Sequence, residues 1–244
     1  MRIVIDLQGA QTESRFRGIG RYSLSLSLAI ARQRGEHEVI IALNGLFPET
    51  IAPIRQAFDG ILPQKNIVVW DAVGPAYELH PDNALRRAIS EKIREAFLVA
   101  LEPDVVLVTS LFEGYGDDAI TTIGRFDGSI PTAVILYDLI PLISPDEHFL
   151  GNQILRTYYA GKIESLKQSR LLLAISERAR LEALTSLQFD QDSSRQGRPD
   201  DRLEMLRGDP VRLRAERRAA RKQHAGSEAR RRRVDDLQVA VDDK

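Results

Sequence analysis

Residues 2–43, RIVIDLQGAQTESRFRGIGRYSLSLSLAIARQRGEHEVIIAL, contain the pattern that sets the fold class. Two short apolar runs, Arg2–Leu7 and Glu38–Leu43, have the composition of strands that are buried on both faces of a parallel sheet. Parallel neighbours need a crossover connection, which is usually a helix. We therefore predict a helix over Ile19–Gln33, although its serines and leucines alternate with the two-residue period of a strand.

The alternation of strand and helix continues through the first three quarters of the chain. Four further β-rich runs are Asn66–Trp70, Asp104–Thr109, Thr132–Leu136 and Leu171–Ile175. Helical patterns cover Asp82–Leu101, Asn152–Gln168 and Ser176–Leu187. In the first of these, apolar residues recur every four positions, which places them on one stripe of a helix. The pattern predicts an α/β fold with a Rossmann-like parallel sheet flanked by helices.

The overall composition excludes several classes of protein. The chain has 244 residues, of which 43% are hydrophobic and 28% charged, and no window reaches the ~18–20 apolar residues of a membrane span. Without cysteine there is no disulfide scaffold, thiolate metal site or cysteine nucleophile. The first apolar run contains Asp6, which is not typical of a signal peptide. We expect a cytoplasmic protein.

The composition changes abruptly near residue 185. Residues 1–184 contain 21 isoleucines and residues 185–244 contain none. The second segment has 15 basic and 12 acidic residues, and Phe189 is its sole aromatic. So little apolar surface cannot offset the entropy of ordering the chain. We therefore predict one folded domain over 1–184 and an Arg-rich, disordered or frame-shifted tail over 185–244.

Three interpretations of this tail are open. A basic arm for nucleic acid would use the run Arg230–Arg233, but interleaved acids and the lack of stacking aromatics argue against a nucleic-acid partner. A naturally solvated tail fits the composition. A shifted reading frame explains the simultaneous loss of Ile and Tyr and the gain of Arg and Asp. We favour the shifted frame.

Ligands of doubly wound sheets bind outside the carboxyl ends of the strands, and the first such loop ends in Arg17-Gly18-Ile19-Gly20-Arg21. Two glycines at a helix start let backbone amides approach a phosphate. The dinucleotide fingerprint would need a third glycine where Ser23 stands. The loop is therefore either a phosphate-proximal segment or a flexible loop whose glycines serve turn geometry.

Two later loops carry further polar candidates. The fifth strand runs into Tyr137 and Asp138. This carboxylate would bind sugar hydroxyls or orient a catalytic group, or else it would cap local amides. Glu113 and Tyr115, in a glycine-containing loop after the fourth strand, suit a polyhydroxylated ligand. The four histidines show no metal-ligand spacing, so we expect neither a metal nor a cofactor.

Four segments together resemble the N-terminal domain of family 4 retaining glycosyltransferases, in particular bacterial mannosyltransferase-like enzymes of O-antigen and lipopolysaccharide assembly. The segments are MRIVIDLQGAQTESRFRGIGRY with the following SLSLSLAIA, LFEGYGD, LYDLIPLISP and LLLAISERAR. The resemblance covers about residues 1–183.

The resemblance implies a GT-B architecture, in which two Rossmann-like domains face a cleft and the N-terminal one binds the acceptor. It places the loop of Gly18, Ile19, Gly20 and Arg21 near the donor diphosphate. It matches Asp138 to the acid of the strand-five motif, where Tyr137 replaces a frequent His. Acceptor-binding or sugar-binding candidates are Glu113, Tyr115, Tyr137, Ser176 and Glu177, the last two near the interdomain crossover.

One departure from the family pattern concerns the donor site. The family's second domain carries a basic pair and two glutamates separated by seven residues. Glu113 does not supply this motif, because Thr121 stands eight positions later. We therefore expect the N-terminal half of a transferase that is inactive alone. Intact, it would move mannose from a nucleotide-sugar, GDP-mannose, to a lipid-linked acceptor at the inner membrane face. The alternative is a stand-alone carbohydrate-binding or nucleotide-binding module.

Overall fold

The computed structural model describes residues 1–126, 128–187 and 203–205, the last three by their backbone alone. The strands are β1 (Arg2–Asp6), β2 (Glu38–Asn44), β3 (Ile67–Trp70), β4 (Val105–Val108), β5 (Thr132–Leu136), β6 (Leu171–Ala174) and β7 (Leu203–Met205). The helices are α1 (Gly18–Arg32), α2 (Pro48–Ala57), α3 (Ala84–Ala100), α4 (Ile140–Ile143), α5 (Pro145–Phe149), α6 (Gln153–Gln168) and α7 (Glu177–Ser186).

The strands form one parallel sheet in the order β3-β2-β1-β4-β5-β6-β7. This is a doubly wound, Rossmann-like arrangement, and it confirms the predicted fold class. The six predicted strands are present with ends that differ by one residue at most, and the ambiguous serine-leucine segment is the helix α1. Because β1 and β4 are neighbours, the order of the strands reverses direction between them.

The core lies on both faces of the central strands. Val4 and Ile5 of β1 are fully buried, and so are most residues of β2, β4 and β5. Such uninterrupted burial explains why these strands are continuous apolar runs rather than alternating ones. Each fully buried aliphatic side chain contributes about 1.5–3 kcal/mol to stability.

Helix α2 was not predicted from the sequence. Pro48 occupies its first turn, where a missing N–H costs nothing, but Pro53 lies inside the helix and obscures the helical pattern. The short helices α4 and α5 lie in a segment that we predicted as loop, and each also begins with a proline in its first turn.

The apolar stripe of α3 predicts the helix correctly but marks its buried face only toward the end of the helix, where Ile93 and Phe97 pack against the core. Leu85 is 72% exposed and Ile89 40% exposed, whereas Arg94 and Glu95 are each 2% exposed. Arg94 pairs with Asp6, and Glu95 accepts hydrogen bonds from the backbone of the loop that begins at Arg125. Arg94 and Glu95 are therefore buried because each has a specific polar partner, one on the sheet and one in a loop.

Only a small part of the predicted tail is described. Helix α7 continues past residue 184 to Ser186, and β7 pairs with β6 in parallel. Residues 188–202 and 206–244 lie outside the described residues, and with them the Arg230–Arg233 run. No helix in the described part of the chain is long and apolar enough to cross a membrane.

Candidate functional site

A cavity of about 590 Å³ opens at the carboxyl ends of β1, β4 and β5, and we call it the crevice. It lies where the strand order reverses between β1 and β4, which is where doubly wound sheets bind their ligands. The structure brings five of the sequence-predicted residues to its wall. These are Ile19, Glu113, Tyr115, Tyr137 and Asp138.

Glu113 is the buried carboxylate of the crevice. Its Oε2 accepts a hydrogen bond of 3.0 Å from Thr12, and its Oε1 accepts one of 2.8 Å from Ser110. Burial raises the pKa of Glu113 above its ordinary value, and the nearby Asp117 carboxylate raises it further. Through its hydrogen bonds with Thr12 and Ser110, Glu113 connects the loop after β1 to the loop after β4.

Asp117 is a second carboxylate on the crevice wall, and the sequence analysis did not single it out. One of its oxygens accepts a hydrogen bond of 2.9 Å from the backbone of Ala119. Burial raises the pKa of Asp117, with a smaller contribution from the Asp118 charge. The crevice thus holds two largely buried carboxyl groups with raised pKa values, and carboxyl oxygens suit hydrogen bonds with sugar hydroxyls.

The hydroxyl of Tyr137 forms hydrogen bonds within the protein. It lies 3.1 Å from the Thr109 carbonyl, 3.3 Å from the Ile19 carbonyl and 3.1 Å from the hydroxyl of Ser23. Burial raises its pKa well above the ordinary value. Tyr137 therefore ties the end of β5 to the first turns of α1, and only its ring is available to a ligand.

Asp138 is an exposed carboxylate on the crevice wall. Its Oδ1 accepts a long hydrogen bond, 3.4 Å, from the backbone N–H of Ile140. This contact corresponds to the turn-capping interpretation, yet the side chain also lines the crevice. The geometry is compatible with a hydroxyl-orienting role because a carboxylate has lone pairs left for a ligand.

The two glycines of the loop, Gly18 and Gly20, differ in the space around them. Gly18 begins α1, and a side-chain carbon built on it would meet nothing within 4 Å. A side-chain carbon on Gly20 would collide with the carbonyl oxygen of Ser14 and the backbone of Arg15. Gly20 is therefore required by the packing of α1 against the preceding turn, Glu13–Phe16, which favours the turn-geometry interpretation at this position.

The two arginines of this loop, Arg17 and Arg21, have different surroundings. Arg21 is exposed and donates hydrogen bonds to the carbonyl oxygens of Phe16 and Arg17, so its head group is held against the preceding turn. Arg17, which the sequence analysis named only as part of the loop, lines the crevice. The first turn of α1 has no side-chain cap, so its backbone N–H groups can receive an anion.

Ser176 and Glu177 do not line the crevice. Ser176 caps α7, since its hydroxyl accepts a 3.2 Å hydrogen bond from the backbone of Ala179. Glu177 pairs with Arg180 one turn along the helix. Their role near an interdomain crossover stays a prediction.

Four residues of the site were not predicted from the sequence. Thr12 and Ser110 donate hydrogen bonds to Glu113, and Ser14, Ser110 and Tyr159 line the crevice. Ser110 had a usable signal, because it comes two residues after the end of β4. Thr12 had none, since its partner lies 101 positions away. Within the described part of the chain, no group of three or more His, Asp or Glu residues is arranged to hold a metal ion.

Comparison with known proteins gives several similar sequences. A serotype-specific mannosyltransferase, WbdA, from Escherichia coli is 34% identical over 185 residues, which is 75% of this chain and 22% of that protein. Two further Escherichia coli proteins of the same name are each 30% identical, over 68% and 65% of this chain. No protein-family model matches the sequence.

These similarities confirm the resemblance to bacterial mannosyltransferases that the four sequence segments indicated. The chain spans about a fifth of the length of the curated relatives that it matches.

Proposed function

We propose that residues 1–184 form the acceptor-side domain of a GT-B retaining glycosyltransferase and that the crevice receives the terminal sugar of a saccharide acceptor. The observation that carries this proposal is the convergence of Glu113, Tyr115 and Asp138 on one crevice at the switch point of the sheet. The similar proteins are named mannosyltransferases, which favours sugar transfer over a stand-alone binding module.

The donor in this proposal is a nucleotide-sugar, GDP-mannose, held by a second Rossmann-like domain across the cleft. The first turn of α1 would face the donor diphosphate, because Arg17 lines the crevice and the N–H groups of Gly18 and Ile19 begin the helix. Asp138 would orient the acceptor hydroxyl that attacks the sugar. Neither a metal nor a cofactor is part of the proposed reaction.

The acceptor in this proposal is a lipid-linked saccharide of lipopolysaccharide O-antigen assembly. The reaction would take place on the cytoplasmic side, with peripheral contact to the inner membrane. The acceptor-side domain supplies only part of the groups that position donor and acceptor, and positioning provides much of the rate enhancement of a transferase. We therefore expect no transfer from this domain alone.

The test measures mannose transfer from GDP-mannose to a lipid-linked, mannose-terminated saccharide, using the whole chain with and without a donor-binding domain. We expect transfer only in the presence of that domain, and Asp138→Asn should lower it at least about tenfold. Asp59→Asn, which changes a turn carboxylate outside the crevice, is the matched control. Efficient transfer by the chain alone would contradict the proposal, and so would an undiminished rate with Asp138→Asn.

A further inference from the structure

A second, smaller cavity of about 200 Å³ lies between α3, α6 and the loop that follows β4, and we call it the α3–α6 cavity. Three cationic side chains line it, Arg87, Arg125 and Lys162, together with two carboxylates, Glu78 and Glu91. The lining therefore carries one more positive than negative charge. None of these five residues lines the crevice.

The two arginines use only part of their hydrogen-bonding capacity on the carboxylates. Arg87 Nε lies 2.8 Å from Glu78 Oε2, and Arg125 Nε lies 3.5 Å from Glu91 Oε2. Arg87 Nη1 is buried and has no hydrogen-bond partner among the described residues. A buried donor left without a partner costs about 1–3 kcal/mol, and more when the group is charged.

Lys162 is the buried cation without a carboxylate partner. Its Nζ donates a 2.5 Å hydrogen bond to the hydroxyl of Thr121 and lies 5.4 Å from the centre of the Tyr158 ring. Within the described part of the chain, no carboxylate oxygen lies within ion-pairing distance of this ammonium group. Burial lowers its pKa to about 8. A buried charge of this kind is normally paired or hydrogen-bonded to a charged group.

Thr122 adds a second polar atom that lacks a partner. Its Oγ1 is buried, lines the same cavity and forms no hydrogen bond with the described residues. The cavity thus collects two unsatisfied polar atoms and three cationic side chains in one place.

We propose that the α3–α6 cavity is a binding site for a small inorganic oxyanion of the phosphate class, held by Arg87, Lys162 and Thr122. Guanidinium and ammonium groups with a hydroxyl donor are the groups that recognise tetrahedral oxyanions. The cavity has room for a single phosphate-sized anion with some water. This site is separate from the crevice and does not depend on the proposed transferase activity.

The experiment measures thermal unfolding of the whole chain and calorimetric binding in sodium phosphate, against sodium chloride of equal ionic strength. We expect a phosphate-specific rise in Tm and a Kd of about 1 mM. Arg87→Gln should abolish both effects, while Arg32→Gln, at an exposed position that lines neither cavity, should leave them unchanged. Absence of a phosphate-specific rise would overturn the proposal, and so would a rise that Arg87→Gln retains and Arg17→Gln, at the crevice, removes.

Thr122→Val provides a second variant in case Arg87→Gln does not fold. It removes an unsatisfied buried hydroxyl and keeps the side-chain shape, so the Tm without phosphate should stay equal or rise. Phosphate affinity should nevertheless fall about threefold or more, since one donor is lost. A purely structural role of this threonine would leave phosphate affinity unchanged, and that result would count against the site.

Discussion

The hydroxyl of Thr12 donates a 3.0 Å hydrogen bond to Oε2 of Glu113, a residue 101 positions further along the chain. The other carboxylate oxygen accepts from Ser110. One buried carboxyl group thus fastens the loops that follow the two central strands, β1 and β4. The wall of the crevice is therefore held in place before any ligand arrives, which lowers the cost of binding.

Replacing this carboxylate should change how stability depends on pH. Burial raises the pKa of Glu113, so the group contributes stability that is fully present below its ordinary pKa and lost as pH rises through the raised value. Glu113→Gln does not titrate. We therefore expect the variant to gain stability relative to the wild type as pH rises from about 4 to 7, measured by urea unfolding. A stability difference that stays constant over this range would contradict the assignment.

The two glycines of the loop should respond differently to alanine. Gly20→Ala places a carbon against the backbone of Ser14 and Arg15, so we expect a loss of about 1–3 kcal/mol in the free energy of unfolding. Gly18→Ala meets open space and is the matched control, with a change within about 0.5 kcal/mol. Denaturant midpoints measure both. Equal stabilities of the two variants would show that Gly20 is not needed for packing.

The ion pair between Asp6 of β1 and Arg94 of α3 should behave as a buried charge pair. Arg94 Nη2 lies 2.5 Å from Asp6 Oδ2, and both side chains are almost completely buried. Arg94→Met leaves an uncompensated carboxylate, and we expect it to cost about 3–5 kcal/mol. The double variant Asp6→Asn with Arg94→Met should be more stable than Arg94→Met alone. Additive losses in this double-mutant cycle would mean that the two groups do not interact.

Deprotonation of Lys162 should raise the free energy of unfolding at alkaline pH. Its pKa is about 8 in the folded protein against an ordinary value of 10.5, so the unfolded chain binds the proton more tightly between these values. Stability should therefore rise with pH across this window, by about 3 kcal/mol at most. Lys162→Met should lose this rise, and Lys92→Met, at an exposed position, should keep it. Parallel pH profiles of Lys162→Met and the wild type, in phosphate-free buffer, would contradict the prediction.

Much of the fold was predictable because it depends on local patterns. Continuous apolar runs such as Thr132–Leu136, short and separated by helical patterns, are typical of strands buried on both faces. Helix α2 was missed because Pro53 interrupts its pattern. The buried face of α3 was missed because the partner of Arg94 lies 88 positions away, at Asp6.

The candidate site was predictable as a set of loops but not as a set of contacts. The rule that ligands bind at strand carboxyl ends selects Glu113, Tyr115 and Asp138 correctly as neighbours. It cannot tell a residue whose polar atoms are free from one whose atoms are already bonded. The hydroxyl of Tyr137 and the backbone around Gly20 are both used internally, and only three-dimensional packing reveals this.

Binding of a saccharide acceptor in the crevice can be tested by chemical-shift mapping on the isotope-labelled chain. The ligand is a mannose-terminated oligosaccharide, titrated to a few times a Kd that we expect near 1 mM. We expect chemical-shift changes concentrated at Tyr115, Gly116 and Asp138, and we expect Asp138→Asn to abolish them. Shifts confined to residues outside the crevice, or none at saturating saccharide, would contradict it.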